Sequence, residues 1–279
     1  MLAGPTYDTL DMMLMHHFCT STANSMSASP NAQHVWREFV PVYANTNLML
    51  MHGVLTLAAN HYVHLHKSDS DSVTLHNYRT RGLYHQQLGL QIFRHHVQNP
   101  SEDQSHEILL TFAAVLGMLT FADADTEPQA LTFDDALALL AVLRGKQALW
   151  RAGSGVSADS NLAPAFFDPP PSDKSPELSS TAFALGELQA VAEDDVRKRS
   201  IAALKAVVES QTSSEFRMLG TWPAGLSDEF LRLLKLRDGV ALRSFEHYCT
   251  IVDSMCHLWW VGDVGKKLRA AIQASAVTE

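Results

Sequence analysis

Fourteen histidines in 279 residues are the first chemistry this sequence offers. The pair His16-His17 and the run His61-x-x-His64-x-His66 invite a metal site, because neutral imidazole is a frequent metal ligand. On a helix His61 and His64 share a face, yet no Asp, Glu or Cys arrives one turn further on to complete a ligand set. The histidines therefore read as half-buried polar groups bonded to backbone or water, and no metal and no cofactor is expected. Asp134-Asp135 and Asp123-Ala124-Asp125 lack the third acid of a DDxxD magnesium motif, and acids at a helix start explain the first pair.

Other catalytic signatures fail on context. Gly153-Ser154-Gly155-Val156-Ser157-Ala158 fits GxGxxA formally, but it follows a helix and precedes a proline-rich loop, where a dinucleotide fold needs a strand before and a helix after. Gly145-Lys146 lacks the upstream glycine of a phosphate loop, and Ser154 lacks the GxSxG frame of a nucleophile elbow. No catalytic residue is assigned. Cys249 and Cys256, seven apart, would face one way on a continuous helix as ordinary core cysteines.

The elements that must carry these residues are helical. Asn47 to Lys67 places Leu48, Met51, Leu55, Ala58 and Tyr62 at spacings of three and four and stops at the polar run Lys67 to Asp71. A second helix runs from Asp71 to His96 and ends before Asn99-Pro100, and Ser101-Glu102 opens a third. Ser105 to Phe121 is apolar nearly all round, which marks a helix enclosed by others. The apolar run Ile108 to Ala122 is shorter than the roughly 20 residues of a membrane span, so no span is expected. Met1 to Leu14 carries Asp8 and Asp11 and has no basic region, unlike a secretory signal.

Asp134 and Asp135 open a helix that extends to Trp150, and a Pro/Ser/Gly-rich linker occupies about 153–178, with Leu162 and Ala165-Phe166-Phe167 as its residues fit for burial. One charged helix then covers about Ser179 to Ser210, and two or three more run from Leu226 to Ala274. The chain reads as all-α, a single domain over 1–279 of about nine or ten helices with an internal apolar pocket.

With 21 Lys+Arg against 30 Asp+Glu and a net charge of −9, the chain lacks the basic footprint of a nucleic-acid binder. Three scattered cysteines suit a reducing compartment and no disulfide framework.

Short motifs give a family resemblance. Met15-His16-His17-Phe18-Cys19-Thr20-Ser21-Thr22 is similar to the LLHHFTTST-like opening of the C-terminal regulatory domain of fungal zinc binuclear-cluster transcription factors of the sterol uptake control type. In the same order, Trp36, Val40-Pro41 and Leu50-Met51-His52-Gly53-Val54-Leu55 resemble that family's W…VP…FLMHGIL segment. His85-Gln86 through Phe93-Arg94 resembles its HQ…AL…FR helix, and Leu143-Arg144-Gly145 its LLRG. Trp222-Pro223, Phe230-Leu231, Ala241-Leu242, His247-Tyr248-Cys249 and Trp259-Trp260 look like its W…F…AL…HY…WW pattern.

The resemblance implies an all-helical, usually dimeric domain with a lipophilic pocket, whose occupancy controls nuclear entry and transcriptional activation in the sterol-sensing members. Three cysteines cannot build the family's six-cysteine zinc module, so DNA contact would be supplied elsewhere. Where the family continues WWxxGW, this chain reads Val261-Gly262-Asp263-Val264-Gly265; a carboxylate beside an apolar ring is costly, so a more polar ligand than sterol becomes plausible.

Apolar wall positions for such a pocket are Met49, Met51, Phe112, Leu116, Met118 and Phe121, with His52, His247 and Tyr248 as polar groups fixing a ligand and Trp259, Trp260 and Asp263 at its edge. Taken singly, each wall residue more often fills an ordinary core and each polar one more often makes a structural hydrogen bond, while Trp259 and Trp260 could cap a cavity or anchor a dimer. Lys266, Lys267 and Arg269 are expected as solvated cations complementing a helix C-terminus.

The expected function is a ligand-responsive regulatory domain of a fungal transcription factor for sterol, lipid or secondary-metabolite genes. It would act in the nucleus, shuttling with the cytoplasm, with a sterol or other metabolite, a second copy of itself and the transcription machinery as partners. The alternative is a relative freed of DNA binding that works as a cyclase, isomerase or dehydratase with His52, His247 or Asp263 as general acid or base, or that dimerises with full-length relatives and dampens them.

Overall fold

A computed structural model describes residues 7–68, 72–100, 105–126, 129–145, 157, 159–168, 176–210 and 214–276. Among these residues there are helices and turns and no strand, as the periodicity demands. Their contacts fall into two units, one within 1–119 and 155–165, the other within 120–154 and 166–279.

The first unit opens with α1 (Thr9–His17), whose Asp8 and Asp11 side chains reciprocally accept each other's backbone N–H in a capping box. A π-helical turn, Phe18–Thr22, continues α1 and passes into a 3-10 turn, Ala23–Ser25. Next come α2 (Pro30–His34), a second π turn at Val35–Phe39, and α3 (Val40–Thr46). Asn47 caps α4 (Leu48–Leu65) by accepting from the Leu50 N–H at 3.0 Å. The long α5 (Ser72–Gln98) ends before Asn99-Pro100, as expected.

The α4–α5 pairing is the most extensive between any two elements. It is close because α5 turns a stripe of Tyr78, Gly82, His85 and Gly89 inward. A methyl group built on Gly82 would stand 2.9 Å from the Ala59 Cβ, and one on Gly89 2.8 Å from Phe112 Cζ. Phe112 lies on α6 (His106–Thr126), the apolar helix, which begins in the first unit and ends in the second. With its flanks α6 has the length and hydropathy of a membrane span, more than the run Ile108–Ala122 alone suggested, but 67% of that window is buried in protein. That degree of burial fits a core helix.

The helix α7 (Phe133–Gly145) starts at a second capping box, in which the Asp135 N–H donates to Thr132 Oγ1 and the Thr132 N–H to Asp135 Oδ2. Its expected extension to Trp150, the Ser101-Glu102 start and the GxGxxA stretch through Val156 lie outside the described residues. The stretch expected as a linker is partly folded. Leu162 is fully buried, Ser160 Oγ donates to the Glu107 carboxylate at 2.8 Å, and α8 (Ala163–Phe167) is a short helix.

The single helix expected from Ser179 to Ser210 is two, α9 (Pro176–Val191) and α10 (Asp195–Glu209). Asp194 breaks it by taking an extended backbone and accepting the Arg197 N–H, a better use of an Asp than a helix interior. Three helices follow α11 (Glu215–Gly225), namely α12 (Asp228–Lys235), α13 (Gly239–Asp253) and α14 (Val264–Ala276). Breaks of this kind, with the short α2, α3 and α8, cut the chain into more helices than the nine or ten expected.

Two further expectations fail here. Because α13 ends at Asp253, Cys249 is buried inside it while Cys256 is exposed in the following turn, so the two do not share a face. Lys266, Lys267 and Arg269 lie in the first half of α14, not at its C-terminus. Lys267 Nζ instead donates to the carbonyls of Ala124 and Asp125 at the end of α6, satisfying another helix's terminal acceptors.

Gly82→Ala tests the close approach of α4 and α5. In an ordinary helix interior the change adds up to about 1 kcal/mol of stability. Here the methyl group meets Ala59, and a loss of about 1–3 kcal/mol is expected from urea unfolding. A stabilised variant would contradict the packing.

Candidate functional site

The first unit is organised around buried polar groups. Asp11 lies on the same face of α1 as Leu14 and Phe18, and like them it is fully buried. Its carboxylate accepts from Arg81 Nε at 2.7 Å and from Arg81 Nη2, and His85 Nε2 stands 2.8 Å from Oδ1. Behind it, His85 Nδ1 faces His52 Nδ1 at 2.9 Å. A carboxylate only accepts, so His85 donates through Nε2, its Nδ1 accepts, and His52 supplies the proton between the rings. Thr56 Oγ1 donates to the His52 carbonyl at 2.8 Å.

Burial pushes the Asp11 carboxyl up, but the hydrogen bonds from Arg81, His85 and the Asp8 backbone outweigh it and hold it at about 2. Burial, reinforced by His85, holds His52 down at about 4. Burial also lowers His85, against the pull of Asp11. The chain Asp11–His85–His52 has the order of a proton relay, yet all three residues are buried and a catalytic base must reach its substrate. It is built to hold α1, α4 and α5 together.

A second histidine group lies beside it. His61 of α4 is buried, with Thr22 Oγ1 at 3.0 Å from Nδ1 and Ser25 Oγ at 3.3 Å from Nε2, so the turns after α1 are tied to α4. Burial, with His17, His64 and His66 nearby, holds His61 at about 4. His17 stacks obliquely on His61, with ring centroids 5.2 Å apart. Thr9, Met12, Met13, His16, His17, Thr20, Tyr62 and Tyr78 line an open groove of about 490 Å³ on this side. His16, His17 and Thr20 belong to the motif that opens the family resemblance.

The second unit is centred on Trp222, whose ring meets Tyr248 at 5.0 Å, Phe230 at 6.1 Å and Phe245 at 6.3 Å. The motif residues Trp222, Phe230 and Tyr248, distant in sequence, thus form one aromatic core. Arg197 joins the start of α10 to Asp238, the N-cap of α13. Glu177, Ser180, Thr181, Ala184, His247, Thr250, Asp253, Lys266 and Arg269 line a second open groove of about 620 Å³. There Arg269 Nη2 donates to Asp253 Oδ2 at 2.9 Å, and burial lowers His247 and raises Asp253.

The residues expected to line one pocket are distributed between these structures. In the first unit Met49 and Phe112 pack with Leu109 and Leu116 in a core cluster, Met118 is buried, Met51 is half-buried, and His52 belongs to the polar chain. In the second unit Phe121 meets Trp260 edge to face at 6.1 Å, and Trp259 is buried. Tyr248, also buried, donates its hydroxyl to the Leu219 carbonyl at 2.7 Å. His247 alone of the twelve borders a described groove. Asp263 is exposed and paired with Lys266 at 2.6 Å, while its N–H donates to Asp125 Oδ1 at 2.8 Å.

Sequence reasoning missed Asp11, Arg81 and His85 as a unit. One signal was present: an acid at position i of an apolar face completed by Leu14 and Phe18 at i+3 and i+7 needs a buried partner. Among the described residues no group of three His, Cys, Asp or Glu is placed to hold a metal ion.

These two helical units, with motif residues at the heart of each, make up an all-α protein. The chain belongs to the family of the fungal specific transcription factor domain, which matches residues 13–167, more than half of the 279 residues. That match takes in α4 and α5, the groove's His16, His17 and Thr20, and the polar chain apart from Asp11. Its membership makes a regulatory role the function of the chain, and a nuclear location is consistent with it. No curated protein matches the chain.

Asp11→Asn leaves the Arg81 guanidinium only the half-exposed Asp8 carboxylate at 3.2 Å and removes the buried charge that both Arg81 and His85 serve, and a loss of about 3 kcal/mol is expected in urea unfolding. Asp263→Asn, which removes an exposed pair, should cost less than about 1 kcal/mol. Equal effects would refute the central place given to Asp11.

The histidines set the pH dependence. His52 and His61, at about 4 in the fold, have pKa values near 6.5 in an unfolded chain. The unfolded state therefore binds protons first, so stability is complete above about pH 6.5 and falls as pH drops toward 4. The urea midpoint should be lower at pH 4.5 than at pH 7.5, and His61→Gln should narrow that difference. A midpoint independent of pH would contradict the buried neutral state.

Proposed function

We propose that this chain is the ligand-responsive regulatory part of a fungal transcription factor of the sterol uptake control type, acting on genes of sterol, lipid or secondary metabolism. It works in the nucleus as a homodimer, shuttles with the cytoplasm and acts on the transcription machinery, with DNA contact made by a module supplied elsewhere. The observation that carries this reading is the family match over 13–167, reinforced by the ordered motifs that continue to Trp259-Trp260 outside it.

The charge balance supports the division of labour. With nine more acids than bases the chain is repelled by phosphate backbones, so a separate module must bring it to DNA. Its ligand is a lipophilic metabolite, with sterol one candidate among others. Such a ligand acts by binding one arrangement of the helices more tightly than another, since only a difference in affinity shifts a population.

The test is a fusion of the whole chain to a heterologous DNA-binding domain driving a reporter in yeast, with and without sterol depletion. Reporter output is expected to differ at least several-fold from the DNA-binding domain alone and to change between the two conditions. Output equal to that of the DNA-binding domain alone in both conditions would overturn the regulatory reading. A response to neither sterol depletion nor fungal metabolite extract would overturn ligand control.

A further inference from the structure

We propose that the solvent-facing row of α5 docks an acidic amphipathic helix of a partner protein, whose apolar side lies on Leu83, Leu90 and Val97 and whose carboxylates pair with Arg79 and Arg94. The proposal deepens the regulatory reading above and rests on it for its biological meaning, while the docking itself stands alone.

The first observation is a local reversal of charge. The chain carries 30 Asp and Glu and a net charge of −9, yet none of those acids falls in the 27 residues of α5, which hold Arg79, Arg81 and Arg94. Arg81 is engaged within the fold, by Asp8 and Asp11. Two residues before Leu83, it projects from the opposite side of the helix. Arg79 and Arg94 are exposed and meet no carboxylate among the described residues.

The second observation is geometric. Leu83, Leu90 and Val97 recur every seven residues, and with Arg79 and Arg94 they fall within an arc of about 60°. Leu83 is 54% and Val97 45% exposed, and Leu90 between them is half-buried, so water reaches an apolar row along the helix. From the other side α5 is held by its extensive contact with α4. The row is therefore rigid before a partner arrives, and docking costs this chain little ordering.

These features select the occupant. Apolar anchors at i, i+7 and i+14 are the pattern by which one helix receives another amphipathic helix. Arg79 and Arg94 stand about 22 Å apart along the axis, a span that four turns of a partner helix cover, and each guanidinium can donate to a carboxylate bidentately. A second copy of α5 does not fit, since a helix without acids sets cation against cation in either orientation. Nor does an anionic bilayer, because a helix lying in a membrane surface keeps its cations off the apolar face, whereas Arg79 and Arg94 stand in the row itself.

The experiment titrates the full chain, by fluorescence anisotropy at physiological salt, with three synthetic peptides of about 20 residues, long enough as helices to span the row. One has a leucine seam flanked by Glu, the second has Gln in place of every Glu, and the third has the composition of the first in an order that breaks the seam. Saturable binding of the Glu peptide is expected, although the chain as a whole repels it. The Gln peptide should bind at least about tenfold more weakly, and the third peptide not detectably. Arg79→Gln combined with Arg94→Gln should bring the Glu peptide to the affinity of the Gln peptide and leave the Gln peptide unaltered, which also shows that the variant is folded. Leu83→Gln should weaken both peptides alike.

No binding of the Glu peptide, equal affinity for the Glu and Gln peptides, or an affinity untouched by the paired arginine substitutions would each overturn the proposal. So would binding to phosphatidylserine vesicles, or self-association in sedimentation, that Leu83→Gln abolishes, since the row would then belong to a bilayer or to a second copy. The reporter fusion separates the two readings. Reporter output unchanged by the paired arginine substitutions, with peptide binding lost, keeps the docking row and removes its part in regulation. A reporter silent from the start, with peptide binding intact, removes the regulatory reading and keeps the row.

Discussion

A carboxylate with no contact to solvent has to be neutralised where it stands, and the first unit is arranged so that Asp11 is. The bidentate guanidinium of Arg81 and the ring of His85 both come from α5, and His52, which completes the chain of hydrogen bonds, comes from α4. The interaction fixes which turn of α5 faces α1, and the register of α4 against α5 follows from the two rings. Gly82 then becomes necessary, because a side chain there would meet Ala59 of α4 and hold the two helices apart, and Gly89 because one there would drive into Phe112 of α6 and crowd His52, whose ring makes the 2.9 Å hydrogen bond. Networks of this kind specify one arrangement because they lose much when any member is displaced.

The second unit solves a different problem, the burial of large aromatic rings and the anchoring of the chain near its C-terminus. Trp222 gathers Phe230, Phe245 and Tyr248 around it and donates its indole N–H to the Ser200 carbonyl at 3.1 Å. Beyond α13, Gly262 takes a positive φ of 49°, and a Cβ there would stand 2.3 Å from the Asp125 carboxyl. That backbone lets the Asp263 N–H reach Asp125 while Lys267 takes the terminal carbonyls of α6. The departure from the family's WWxxGW pattern is thus explained locally: Asp263 faces solvent and Lys266, and the positive-φ glycine is what the turn requires.

Much of this was legible in the sequence because it depends on local rules. The limits of α4 and α5 follow from Asn47 as a cap and from Asn99-Pro100 as a stop, and α7 from Thr132 and Asp135. The resemblance of Met15–Thr22, Leu50–Leu55 and Trp222–Tyr248 to one family pointed to the class of protein. What was not legible depends on pairing across the fold. Met49, Phe112 and Tyr248 have the composition of a pocket wall and serve as core or as a satisfied buried hydroxyl, a difference set by neighbours that spacing does not name. The break at Asp194 and the end of α13 at Asp253 were missed because apolar periodicity continues through both, while capping decides them. Asp11 was read as a charge at the N-terminus, and its partners lie 70 and 74 residues away.

The polar groups of the first unit pin α1 at both ends. Asp11, Arg81 and His85 are mutually satisfied, and any displacement exposes a buried charge to an apolar surrounding. At the other end Thr22 of the π turn and Ser25 of the 3-10 turn both pair with His61 of α4. A shift of α1 along its neighbours therefore has to break hydrogen bonds to α4 and α5 together, and since such networks lose much when any member is displaced, a movement of this segment carries α4 with it and is not absorbed in the turn.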